Sequence, residues 1–346
     1  MKSYVGCGPH QIRSVAKLLL YAMWILCFAG IAIAQQEAPA DLSPDELVNR
    51  LMAVTNQKLT REVEQERSAL MEALWKQGES AIPAIVSGLS RGNDVQRVYL
   101  VHTVARIPGD SSTSVLVEAV AQTSFPRAAN RALAALENRT INRPLSPPEL
   151  QALTDQVRQK GVIGAGLASR VLARCVEVPI AGRLTPIVER FESELISPAE
   201  IGRVVGSYVS PRVFARNQFL LAFSYLGEPA IPALTQKRCQ ATGNVEIEKW
   251  WALALGMAGD RSVAPYLEGV VRNDPDKYIR CTAVSAYAHS AKQDAIPLLE
   301  SLLTDTTESE YKGCILIPGK VFLIRNVAKD ELATLRREKA ATSGQK

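Results

Sequence analysis

One short phrase recurs along this chain and limits what it can fold into. Gly78-Glu79-Ser80-Ala81-Ile82-Pro83-Ala84-Ile85 returns as Gly227-Glu228-Pro229-Ala230-Ile231-Pro232-Ala233-Leu234. Shorter echoes follow at Val263-Ala264-Pro265-Tyr266-Leu267 and Ala295-Ile296-Pro297-Leu298-Leu299. Pro232, Pro265 and Pro297 are spaced by 33 and 32 residues, a period typical of stacked helix pairs. An array of that kind needs no single large core, because each unit contacts only its neighbours. With 47% hydrophobic but only 6% aromatic residues, the chain suits close-packed helices with small facing residues and does not suit a disordered protein. The expected fold class is all-α, an α-solenoid of stacked antiparallel helix pairs.

Residues 1–34 read as a targeting segment. Lys2, Arg13 and Lys17 precede an uncharged run of 17 residues, Leu18 to Ala34, which closes on Ala32-Ile33-Ala34. That small-x-small ending suits a signal peptidase, and the run falls short of the about 20 residues of a comfortable membrane span. Export with cleavage near Ala34, to the periplasm or beyond, is the expected outcome. An uncleaved membrane anchor is the alternative. Cys27 follows Leu26, where a lipid-attachment signal carries a small residue. Removing the segment takes the formal net charge from +5 to +2, so nucleic acid loses its electrostatic case as a partner.

After a linker at 35–42, helical pairs are expected over 43–142, more divergent helices over 143–210, and regular pairs again over 211–304. An irregular cap at 305–330 and a basic, frayed tail at 331–346 complete the chain. Three helix starts share one design: Ser43-Pro44-Asp45-Glu46, Ser146-Pro147-Pro148-Glu149 and Ser197-Pro198-Ala199-Glu200. In each, serine can cap the helix, proline occupies the first turn without losing a needed N–H, and glutamate closes the capping box. Cys314-Ile315-Leu316-Ile317 is the one stretch with some strand character.

The repeat resembles the HEAT-repeat family, in particular the short bacterial HEAT-like repeats also found in phycobilin-lyase-type proteins. The pattern D-x-x-V-R-x-x-A-x-x-A-L-G, a turn, then A-x-P-x-L is carried by Asp276, Ile279, Arg280, Ala283 and Ala286, followed by Ala295, Pro297 and Leu299. Another copy uses Asp94, Arg97, Val101 and Val104, and a third runs from Ile247 through Ala254, Leu255 and Gly256. The resemblance implies a solenoid scaffold in which Arg97 and Arg280 are structural. It is nearly silent on function.

Side chains that suggest chemistry are few. His102 and His289 fall on distant repeats with no metal-ligand spacing around them. Gly164-Ala165-Gly166-Leu167-Ala168-Ser169 looks like a dinucleotide loop but follows a polar helix end, so it reads as a turn into an alanine-rich helix. Ser111 to Ser114 reads as a turn and cap, and Glu62, Glu64 and Glu66 as a solvated face. No cofactor, metal or catalytic set is expected. Trp250 and Trp251 lie about 100° apart on their helix, so Trp250 is expected to be at least partly exposed and is the candidate partner-binding residue. The bland alternative has both half-buried at a seam.

Cys175, Cys239, Cys281 and Cys314 remain after cleavage, either as small buried residues or with at least one bridge formed on export. Tyr278-Ile279-Arg280-Cys281 and Tyr311-Lys312-Gly313-Cys314 share a spacing that puts both thiols at like positions of successive units. Regular stacking at about 8–10 Å is too wide for a bridge, which tolerates about 7 Å between Cα atoms, but an irregular terminal unit could lean inward. Cys281–Cys314 is the preferred pair. The expected function is that of an exported scaffold binding a protein or cell-envelope component without catalysis. The alternative is a lyase or cofactor-handling enzyme of the HEAT-like type, and a membrane enters only if the N-terminal segment stays uncleaved.

Overall fold

The computed structural model describes residues 42–120, 125–142, 144–159, 161–196, 211–307 and 322–343. Among the described residues the chain is helical throughout, with no strand. The N-terminal half contains α1 (Pro44–Thr55), α2 (Arg61–Gln77), α3 (Ile82–Arg91), α4 (Asp94–Arg106), α5 (Asp110–Val120) and α6 (Pro126–Asn142). The middle adds α7 (Pro147–Gln159), α8 (Val162–Arg174) and α9 (Ile180–Ile196). The C-terminal half contains α10 (Pro211–Leu226), α11 (Ile231–Gln240), α12 (Val245–Met257), α13 (Ala264–Asn273), α14 (Lys277–Ala291), α15 (Ile296–Leu302) and α16 (Leu323–Ser343).

Local chemistry sets the helix boundaries. Before α1, the Ser43 side chain accepts the Glu46 N–H while the Glu46 carboxylate accepts the Ser43 N–H at 2.9 Å, a complete capping box behind Pro44. Asn93 and Gln96 build the same box for α4, and Glu149 accepts the Ser146 N–H at 2.7 Å before α7. The recurring phrase is a corner. An even-numbered helix ends, one turn of 3-10 helix follows at Gly78–Ala81, Glu228–Ala230, Arg261–Val263 or Lys292–Ala295, and the next helix starts with proline in its first turn. Ala81, Ala230 and Ala295 are all fully buried in these corners, where a larger side chain would hold the two helices apart.

The even-numbered helices stack on one another in chain order from α2 to α16, with the odd-numbered helices packed behind them. In the N-terminal half this layer keeps a solvent face: Val95, His102 and Arg106 on α4, and Arg127, Asn130, Arg131, Ala134 and Asn138 on α6, are partly or fully exposed. From α8 onward the face closes. Every residue from Val162 to Ser169 on α8, and from Trp250 to Met257 on α12, is buried.

Glycine makes this closure feasible at two points. A Cβ at Gly166 would lie 2.9 Å from the Ala215 carbonyl oxygen on α10, and one at Gly256 would lie 2.4 Å from Leu267 Cδ1 and 2.9 Å from the Ala286 oxygen on α14. The backbones approach so closely that units two apart meet: the Thr282 hydroxyl on α14 lies 3.1 Å from Asn217 Oδ1 on α10. Behind this, Phe191 on α9 packs against Phe219, Phe223 and Trp251, with ring centroids 5.5, 5.5 and 5.1 Å away.

The C-terminal tail differs from the expected fraying. α16 is continuous from Leu323 to Ser343 and buries Ile324, Ala328, Leu332 and Leu335 over the last unit, with Gln293 Nε2 donating to the Leu335 carbonyl at 2.9 Å. This amphipathic helix packs its apolar side on α14 and α15. The N-terminal segment, Ser197-Pro198, and Cys314 to Ile317 lie outside the described residues. No described helix is long and apolar enough to cross a membrane.

Candidate functional site

The open stretch of the inner layer holds a groove of about 480 Å³ between the C-terminal end of α4 and the middle of α6. Its floor is apolar, from Ala105, Ile107, Pro108 and Ala135, and its polar groups are His102, Arg106, Arg131, Asn138 and Arg139.

Arg139 builds the wall. Its guanidinium donates to the Val104, Ala105 and Ile107 carbonyls at 2.9, 3.2 and 2.6 Å, and to Ser112 Oγ and Thr113 Oγ1 at 2.8 and 2.7 Å. The last carbonyls of α4 have no intrahelical partners, and a cation from the next unit satisfies them where the helix dipole favours positive charge. Ser112 in turn donates to the Ile107 carbonyl at 2.7 Å. The Ser111–Ser114 stretch, expected as a turn and cap, lies instead within the first turns of α5, and Gly109, at φ 116°, allows the sharp reversal before it.

Among the described residues, the other two arginines have no carboxylate partner. The Arg106 guanidinium lies over the Trp75 ring of α2, 4.1 Å from its centroid. Arg131 Nη2 lies 2.6 Å from His102 Nδ1. Since guanidinium only donates, the imidazole must be the acceptor and therefore neutral at that nitrogen. Burial first, then the positive charges of Arg131 and Arg106, hold the His102 pKa below its ordinary value. Among the described residues, the groove thus presents two guanidiniums with donors left over and a neutral imidazole over an apolar floor. That set attracts an anionic group.

The other sequence candidates have structural roles. Arg97 donates to the Gly92 and Ser90 carbonyls at 2.7 and 3.1 Å, Asp94 accepts the Ala128 N–H of the next unit at 3.2 Å, and Arg280 reaches Thr307 Oγ1 at 3.0 Å. Gly164 to Ser169 lies inside α8, with Ser169 Oγ donating to the Ala165 carbonyl at 2.8 Å. His289 sits on α14, in a unit remote from His102, its pKa lowered by burial and by Lys292. Among the described residues no group of three or more His, Cys, Asp or Glu could hold a metal ion.

The expectation for Trp250 needs correction. It is 1% exposed, as is Trp251. Trp250 Nε1 donates to Glu246 Oε1 at 3.0 Å and its ring faces the Arg216 guanidinium, 4.9 Å from the centroid, while Trp251 turns edge-on to Phe191. The two rings do point apart as helix geometry requires, but α12 is enclosed on both sides, so neither direction reaches solvent. Trp250 offers no surface anchor. Cys281 carries a free, partly buried thiol, and its proposed partner Cys314 lies outside the described residues. Burial pushes the Cys281 thiol up to about 11 and the Cys175 thiol to about 12, whereas Cys239 is exposed.

Stacked helix pairs joined by a repeated corner define a helical repeat scaffold. Residues 221–314 match the family model of HEAT repeats, and this part of the chain is built of them. No curated protein matches the sequence. Among solved structures, human deoxyhypusine hydroxylase in complex with glycerol is similar at 15% identity, covering 85% of this chain and 97% of that one, with a TM-score of 0.28. The assignment to HEAT repeats rests on the family match and the helix pairing, not on that overlay.

Proposed function

We propose that the protein is an exported scaffold that holds a protein or cell-envelope partner on its inner face and performs no catalysis itself. The observation that carries this reading is the contrast along the inner face, which is closed from α8 to α14 and open and arginine-lined between α4 and α6. A solenoid works by presenting a continuous surface, and here the presented part is the N-terminal half. The signal-like residues 1–34 supply the exported part of the reading.

The test uses the mature protein as bait on solubilised envelope. Any captured partner is then purified and titrated against the bait in isolation. A saturable one-to-one interaction supports the scaffold reading, and N-terminal sequencing of native material should begin at Gln35. A reproducible lyase or hydrolase activity, lost on one polar substitution, would refute it in favour of the enzyme alternative. A native chain starting at Met1 in the membrane fraction would replace export by anchoring.

A further inference from the structure

We propose that the groove between α4 and α6 is a docking site for an acidic peptide segment of a partner protein, with Arg106 and Arg131 as its carboxylate receptors. The proposal rests on the scaffold reading and names the chemistry that the partner must present.

Three features select this occupant. First, charge: the guanidiniums of Arg106 and Arg131 both line one groove, and among the described residues neither is in an ion pair. By contrast, Arg170 on the closing side is already neutralised by Glu137 at 2.8 Å, and Arg67 at the other end by Glu64 at 3.3 Å. Second, preorganisation: Arg106 rests on Trp75 and Arg131 on His102, so neither fork must be ordered when a carboxylate arrives. Third, the remaining lining suits a peptide. The floor of Ala105, Ile107, Pro108 and Ala135 accepts the methylene stems of acidic side chains. A bare phosphate would use the forks but leave the apolar floor uncovered.

His102 supplies an internal reporter. Its neighbours in the groove are cationic: Arg106 on its own helix, with Arg131 and Arg139 from α6. The Glu79 carboxylate approaches only the Gly109 end. A carboxylate bound between Arg106 and Arg131 offsets the charge that disfavours imidazolium, so His102 protonates more easily in the complex. By linkage, the segment must then bind more tightly as pH falls.

The probe is a fluorescein-labelled octapeptide of alternating glutamate and leucine, titrated into the mature full-length protein at low salt. Binding should weaken steeply as salt rises, and weaken about tenfold or more in the R106Q/R131Q double variant. It should be unchanged in R272Q, whose arginine is engaged by Glu268 at 2.7 Å on α13. NMR titration of the imidazole should show the His102 pKa rising on saturation, a readout that a merely structural arginine pair would not move. Equal binding by the double variant, no binding at low salt, or equal displacement by inorganic phosphate or by anionic phosphatidylglycerol vesicles would each overturn the proposal. Should the envelope partner bind while the peptide does not, the groove assignment fails and the scaffold reading stands. Should an enzymatic activity emerge while the peptide binds as expected, the reverse holds.

Discussion

Lys292 occupies a backbone position that its own repeat reserves for glycine. At the corner after α2, Gly78 adopts φ 62° and ψ −138°; after α10, Gly227 adopts φ 64° and ψ −152°. The corner after α14 repeats the conformation with Lys292 at φ 55° and ψ −128°. For a residue with a Cβ this region is strained by about 1–3 kcal/mol. Replacing lysine by glycine removes the strain but gives the unfolded chain more freedom, which costs about 0.4–1 kcal/mol. The Lys292 side chain is exposed, so its removal takes away little buried surface. K292G should therefore stabilise the terminal unit by about 1 kcal/mol, the central value of that subtraction. Because an array does not unfold as one block, a global melting point dilutes the effect. Hydrogen exchange of amides in α14 and α15 is the direct assay, and it should slow about fivefold, as 1 kcal/mol implies. K292A, which keeps a Cβ, should gain nothing, while G227A should lose about 1–3 kcal/mol at its own corner. If K292G and K292A exchange alike, the backbone is not the source of strain and the reasoning fails.

Other expectations follow from the same geometry. Alanine is normally favoured over glycine in a helix by about 1 kcal/mol, yet G256A should destabilise by about 1–3 kcal/mol, because its Cβ would sit 2.4 Å from Leu267 Cδ1 and 2.9 Å from a carbonyl oxygen. Urea unfolding measures this, and a more stable variant would refute the close approach. His102 and His289 both have lowered pKa values in the folded chain, so the unfolded chain takes up more protons below the ordinary value of 6.5. Their contribution is fully present above pH 6.5 and is lost as pH falls through the lower folded values. Stability measured between pH 7.5 and 5.5 should thus fall more steeply in the native protein than in H102Q/H289Q, and parallel curves would contradict the shifts. In a timed iodoacetamide reaction at pH 8 followed by peptide mass spectrometry, exposed Cys239 should be modified well before Cys175 and Cys281, whose thiols are held near 12 and 11. Faster labelling of Cys175 would mean that α8 opens readily.

What could be read from the sequence was whatever local chemistry decides. The serine-proline caps and the glycine-to-proline corner each act within a few residues, so their meaning survives without knowledge of the fold. Arg97 and Arg280 were read as structural from the resemblance to the repeat pattern; Arg97 serves the turn just before its own helix, whereas Arg280 reaches Thr307, 27 residues further on. Arg139 was missed, because the carbonyls it satisfies lie 32 to 35 residues earlier and no spacing marks them. Trp250 was misplaced because its burial depends on how sharply successive units rotate. That rotation is set by the approach of α12 to α14 and of α10 to α14, and not by anything within α12. Yet a signal for it was present. From Trp250 to Ala258 there is no charged residue and small side chains fall on every face, as also from Val162 to Ala168. A helix apolar all round must be enclosed all round. α4 and α6 instead carry His102, Arg106, Arg127 and Arg131 on one face, a pattern that a fully enclosed helix could not tolerate. The point where the inner face stops closing is therefore written in the change from all-round apolar to one-sided basic helices, and the groove lies on the basic side of that change.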